Sequence, residues 1–158
     1  MSSDTLSHFH VKTLHHGWVE VFLRTADASF RANVSYTPND GLREFLAAVN
    51  AVLPHPGATG RCLWSDERGF YLVTLQHEPP NITLLIQYAP GFISRFDGEQ
   101  PNAEIVFRGY CEVKKFARKV RATYRRLLDE IGVVEYQTQW RHPFPQSEWE
   151  QLQAFLAS

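Results

Sequence analysis

The chain has 158 residues, 44% hydrophobic and 21% charged, which is one domain's worth of ordinary globular composition and excludes wholesale disorder. A net charge of −1 leaves no global field for nucleic acid or an anionic membrane. Two cysteines, Cys62 and Cys111, make neither a zinc pattern nor a disulfide framework. At this length a core can form without metal or disulfide staples.

Residues 1–16 are polar and hold four of the seven histidines. The expectation is a loose N-terminal arm over 1–16, with at most a short strand around Phe9 and Val11. It has no cationic start followed by an apolar run, so no secretory signal is expected. No apolar stretch approaches the ~20 residues that span a bilayer. The cytoplasm, with reduced thiols, is the expected setting.

A single domain is expected over 17–158. Residues 17–25 alternate, with Val19, Val21 and Leu23 on one side and Glu20, Phe22 and Arg24 on the other. Phe30, Ala32, Val34 and Tyr36 repeat the pattern, and the two strands are expected to pair as a hairpin. Thr37 is placed to cap a helix, Pro38 suits its first turn, and Leu42, Phe45, Leu46, Val49, Val52 and Leu53 follow at helical intervals. Pro54 and Pro56 end it.

Residues 61–65, 70–76, 82–88 and 103–109 read as further strands. Short turns join the first three and permit only antiparallel neighbours. A longer loop is expected over 89–102. The strongest pattern lies at 111–131, where Val113, Phe116, Ala117, Val120, Tyr124, Leu127, Leu128 and Ile131 make a core-facing helical stripe. Gly132 is its stop. Residues 133–140 read as a last strand or an extended arm, and 146–157 as a final helix. The fold class is therefore α+β: an antiparallel sheet of about five to six strands with a long amphipathic helix and two shorter helices packed on it.

Chemistry-bearing patterns are few. His8, His10, His15 and His16 are weak metal candidates, since imidazole is a common ligand and a strand puts His8 and His10 on one side. No carboxylate or Cys stands at matching spacing, and no metal site is assigned. Cys111 precedes the long helix, where a thiol can be activated, with His77 or His142 as a conceivable base. The bland alternative is a small buried residue. Asp66-Glu67 and His77-Glu78 sit at strand ends, where carboxylates can do acid–base work, though charged residues also simply populate turns. Ser35, Ser65 and Ser94 lack a nucleophile-elbow context. No phosphate-binding glycine loop occurs, and no cofactor is expected.

The sharpest feature is cationic. Lys114, Lys115, Arg118, Lys119, Arg121, Arg125 and Arg126 share the helix arc opposite the apolar stripe, giving residues 112–130 a local +4 and leaving −5 on the rest. The arc suits an acidic protein surface better than nucleic acid, because the whole chain is not basic. The plain alternative is a solvated outer face. Tyr136, Trp140 and Trp149 are candidate surface aromatics for a binding hot spot, or else staples of the last segment onto the core.

A set of residues resembles a family of small uncharacterised bacterial proteins of similar length. These are Gly17-Trp18, Ser35-Tyr36, Leu42, Phe45-Leu46, Asp66-Glu67-x-Gly69-x-Tyr71, Phe116-Ala117, Glu135-Tyr136-x-x-x-Trp140 and Phe144-Pro145. The resemblance spans about residues 16–156. Glu67-Arg68-Gly69 departs from the Glu-Pro-Gly of that family's hairpin turn. It implies a fold and no activity or catalytic residues. In general character such proteins are similar to the immunity proteins that neutralise secreted bacterial toxins. The leading expectation is a non-enzymatic protein-binding domain of immunity type. The alternatives are a small hydrolase-like enzyme with a cleft at the strand ends, and nucleic-acid binding along helix 112–130.

Overall fold

In the computed structural model, which describes residues 4–91 and 103–158, the chain forms one antiparallel sheet and three helices. The strands are β1 (His8–His15), β2 (Trp18–Arg24), β3 (Ser29–Ser35), β4 (Thr59–Ser65), β5 (Gly69–Glu78), β6 (Asn81–Pro90) and β7 (Glu104–Glu112). The helices are α1 (Gly41–Val52), α2 (Val113–Trp140) and α3 (Gln146–Ala157). The seven strands lie side by side in chain order, as short antiparallel connections dictate.

The count exceeds the expected five to six because of β1. Residues expected as a loose arm pair with β2 from His8↔Arg24 to His15↔Trp18. The apolar content that makes this possible is Leu6, Phe9, Val11 and Leu14, all buried. The segment before β1 also does structural work. Leu6 N donates to Tyr110 O at 2.7 Å, Tyr110 N to Asp4 O at 3.0 Å, and Ser7 N to Arg24 O at 2.8 Å. These bonds tie the start of the chain to β7 and β2 together.

One face of the sheet carries the core. Val19, Val21, Leu23, Phe30, Ala32, Val34, Trp64, Val73, Leu75, Ile82, Leu84 and Ile86 point inward, where the helices meet them. The alternation that reads as half-buried strand is the alternation that builds this face. The sheet is nearly split. β3 and β4 share the single Cα pair Ser35↔Ser65, so β1–β3 and β4–β7 behave as two half-sheets under one set of helices. At Gly60 an added Cβ would stand 2.5 Å from Ala48 O, so α1 lies almost on the backbone of β4.

The α1 start differs from expectation. Thr37–Pro38 is a cis peptide, and Asp40 is the cap, accepting from Arg43 N at 3.1 Å. Gly132 does interrupt α2, at φ 75° and ψ 170°. Residues 133–140, expected as a strand or extended arm, nevertheless turn as helix beyond it. Tyr136 and Trp140 are buried while Thr138, which would share their face in a strand, is exposed; that is helical spacing, and tertiary packing overrides the β-branched Val133 and Val134. From the expected loop at 89–102, residues 92–102 and with them Ser94 lie outside the described residues.

Candidate interaction surface

α2 runs along the open edge of β1. Thr123 Oγ1 accepts from Val11 N at 2.6 Å and donates to Val11 O at 3.3 Å. Lys119 Nζ donates to Ser7 O at 3.0 Å, and His16 N donates to Gln139 Oε1 at 3.0 Å. An edge strand that would otherwise invite pairing is thereby occupied by side chains.

This docking divides the seven cations into two stripes, one at helical intervals of three or four and the other at intervals of four and seven. Lys114, Arg118, Arg121 and Arg125 face the α3 side. There the Lys114 ammonium lies 4.5 Å from the centre of the Phe155 ring, and the Arg125 guanidinium 5.4 Å from that of Trp149. These cations cover apolar ground and are partly spent on the fold. Lys115, Lys119 and Arg126 face the β1 side, where Arg126 Nη1 lies 3.4 Å from His10 Nδ1. Among the described residues, no Asp or Glu side chain lies within ion-pair distance of any of the seven.

The β1-side stripe continues onto the outer face of the first half-sheet. Three rungs cross it in register: His8, Arg24 and Ser29; His10, Phe22 and Arg31; Lys12, Glu20 and Asn33. Phe22 lies at the centre. The His10 ring stacks beside it, 6.3 Å between centres and 8° between planes, and the Arg31 guanidinium stands 5.2 Å from the ring centre. Glu20 is the one carboxylate on these rungs, and Lys12 and Arg31 flank it at 3.7 and 3.6 Å. Among the described residues no helix covers this face, and its side chains are half-buried or exposed. Partial burial, then the charges of Arg126, His8, Lys12 and Lys119, hold the His10 pKa below its ordinary value. That setting repels a cation. The His8 and His10 rings do share a face at 5.9 Å, and those of His15 and His16 lie 3.7 Å apart, but no group of three or more metal-binding side chains gathers among the described residues.

The expected surface aromatics are instead interior. Tyr136 and Trp140 are fully buried and Trp149 is 6% exposed. Trp140 Nε1 donates to Asp40 Oδ1 at 2.9 Å, which ties α2 to the cap of α1. Tyr136 packs edge-on to Phe144, and Phe144 edge-on to Trp149. They staple the C-terminal segment onto the core. Phe22 does face outward, with Trp18 two rungs along the same strand. Phe22 carried a legible signal: a large apolar residue at a polar-face position of an alternating strand.

The strand-end groups are engaged in structure. Asp66 Oδ1 accepts from Arg68 N and Gly69 N at 2.9 and 2.8 Å, and Tyr88 OH donates to Oδ2 at 3.0 Å. Burial, the hydrogen bond to Asp66 and its charge push the Tyr88 phenol up to about 12. Ser35 Oγ donates to Glu67 Oε2 at 2.6 Å, and Ser65 Oγ accepts from Glu67 N. Glu67 and Ser65 border a cleft of about 370 Å³ at the β3–β4 seam. His77 and Cys111 are far from it. They share a rung with Ile82 between them, so two strand spacings, roughly 10 Å, separate nucleophile and base. His77 Nδ1 donates to Val52 O at 2.7 Å, and its residue is buried. Cys111 is 3% exposed, and burial pushes its thiol up, opposite to activation. His142 is held by Tyr36 O at 2.7 Å.

No family model, curated protein or solved structure matches the chain. The resemblance to a bacterial family gains no support from these comparisons. Among the described residues no helix is long and apolar enough to cross a membrane.

Proposed function

We propose that this protein is a binding module that recognises an acidic surface of another protein, through the β1-side stripe of α2 and the adjoining outer face of β1–β3. One observation carries the reading. Lys119 and Arg126 of α2 join Lys12, Arg24 and Arg31 of the sheet around His10 and Phe22, with Glu20 as the one carboxylate on the rungs. Fixed cations around an aromatic centre are the composition of a protein interface, in which Arg and aromatic side chains anchor and flanking charge steers. The overall −1 charge favours a local acidic partner over a general polyanion binder. The engagement of Asp66, Glu67, His77 and Cys111 in the fold favours binding over catalysis at those positions. Neutralising a toxin in the cytoplasm, as immunity proteins do, is the role we assign to such a surface.

The test begins with capture of the partner by tagged protein from a nuclease-treated lysate of its own organism. The triple variant K115E/K119E/R126E is then compared with the parent. Association with that partner should slow by about tenfold or more at low salt and lose most of its salt dependence. An unchanged rate and an unchanged salt slope would sink the assigned face. Loss of all binding on nuclease treatment would move the surface to nucleic acid.

A further inference from the structure

The outer face of β1–β3 has more organisation than a diffuse cationic patch. Side chains that share a face of a strand recur about every 6.6–6.8 Å, and neighbouring strands stand about 4.8 Å apart. His8, His10 and Lys12 are spaced this way along β1, with Arg24 and Arg31 on the neighbouring strands. An extended chain whose alternate residues are carboxylates has the same repeat. Phe22 lies inside the cationic frame, with His10 against one side and Arg31 against the other. Two residues further toward the start of β2 are Glu20 and then Trp18, which border a hollow of about 410 Å³ together with Thr13, His15 and Asn33. The face thus offers a charged register, a flat ring at its centre and a depression at one end.

We propose that this face seats one extended acidic segment of the partner, laid along β2, with an aromatic or apolar side chain over Phe22 and alternate carboxylates on Lys12, Arg24, Arg31, Lys119 and Arg126. The proposal rests on the acidic-partner reading and specifies its ligand: a strand-like stretch that alternates Asp or Glu with other residues and carries one aromatic anchor. The charge complementarity and the exposed ring are independent observations, and they coincide on the same three rungs.

The probe is a short synthetic peptide that alternates Glu and Thr around a central Trp, set against the same peptide with Ser at the centre and against a short oligothymidylate, each labelled and titrated with the full chain. The Trp peptide should bind about tenfold tighter than the Ser peptide, because a ring in a central desolvated position carries much of an interface. Phe22→Ala should bring the two peptides level while the thermal midpoint shows the variant folded. Phe22→Tyr should keep the preference. K119E/R126E should weaken both peptides. If K119E/R126E weakens both but Phe22→Ala leaves the Trp preference intact, the seat over Phe22 is overturned and the acidic-partner reading survives. If neither peptide responds to K119E/R126E, the reading itself fails. Equal affinity of the Trp and Ser peptides, absence of peptide binding, or tighter binding of oligothymidylate at the same salt each overturns the proposal, the last in favour of nucleic acid.

Discussion

Trp140 and Phe22 are both aromatic rings beside charged groups, and they differ in which side of the sheet they occupy. Trp140 is fully buried, its indole N–H fixed on the Asp40 carboxylate that also caps α1. Phe22 is half-buried on the outer face, with the Arg31 guanidinium on one side, the His10 ring on the other, and no helix of the described residues above it. The same contrast runs through α2. Arg125 lies over the ring of Trp149, whereas Arg126, one residue on, reaches the histidine-bearing outer face. One residue of helix rotates a side chain by 100°, and here that rotation separates a cation that serves packing from one that serves recognition. Type of residue therefore says little about role in this chain. The setting of each side chain decides it.

The largest expected effect tests that contrast directly. Trp140→Ala removes a fully buried indole and leaves Asp40 without one of its partners, so unfolding free energy should fall by about 3–5 kcal/mol. Phe22→Ala should cost about 1 kcal/mol or less, because much of that ring already meets solvent. Urea denaturation followed by far-UV circular dichroism gives both numbers. Similar losses for the two would erase the distinction between the inner and outer rings.

A smaller effect concerns the edge on which the surface is built. Thr123→Val keeps the shape but removes the hydroxyl that pairs with both Val11 N and Val11 O. A buried amide left without an acceptor should cost about 1–3 kcal/mol. Hydrogen exchange at the Val11 amide should rise in the variant well beyond its rise at Val73, in the other half-sheet. An equal rise at both sites would mean that the two half-sheets do not open separately.

Much of the inner architecture was legible in the chain. Alternation at 19–23 and 30–34 and the stripe from Phe116 to Leu127 each reflect one buried face, and one buried face imposes one period, whereas β5 reads as a near-continuous apolar run because Phe70 and Leu72 are buried opposite Val73 and Leu75. Gly132 was legible as a break because only a residue free of a Cβ accepts its φ readily. What failed to show was set by distant contacts. β1 holds its place through bonds to β2 and α2, and its histidines and lysine read as a solvated arm until those partners are known. Residues 133–140 contain β-branched neighbours that favour a strand, and the burial of Tyr136 and Trp140 with Thr138 left exposed, which only the folded core reveals, is what marks the helix. The cations were visible as a single arc. Their division into two stripes depends on where α3 and β1 lie, and the chain alone does not carry that.

The hairpin turn that closes β4 and β5 gives a pH-dependent test. Tyr88 has its phenol raised to about 12, by burial and by its hydrogen bond and proximity to Asp66. A raised folded value means that the folded state holds this proton more tightly than the unfolded chain, whose tyrosines titrate near 10. The stabilisation is therefore present in full below about pH 10 and is lost as pH rises through about 12. Tyr71, Tyr124 and Tyr136 are raised as well, so the spectrophotometric titration at 295 nm is read as the difference between the parent and Tyr88→Phe: that difference should show one phenol ionising late, and Asp66→Asn should bring it toward the ordinary value. A Tyr88 that ionises near 10 in the parent would contradict the Asp66 contact.

The smallest effect sharpens the comparison within the core itself. Tyr124 and Tyr136 are both fully buried, and burial raises both phenols well above their ordinary value. Tyr124 OH donates to Leu42 O at 2.6 Å, whereas Tyr136 OH is buried with no hydrogen-bond partner among the described residues. A satisfied hydroxyl and an unsatisfied one should answer the same substitution differently. Tyr124→Phe strands the Leu42 carbonyl and should cost about 1–2 kcal/mol. Tyr136→Phe removes an unpaired polar atom and should leave stability unchanged, or raise it by up to about 1 kcal/mol. A loss at Tyr136→Phe as large as that at Tyr124→Phe would mean that the Tyr136 hydroxyl is held by an internal water, the one partner small enough to enter so closed a site.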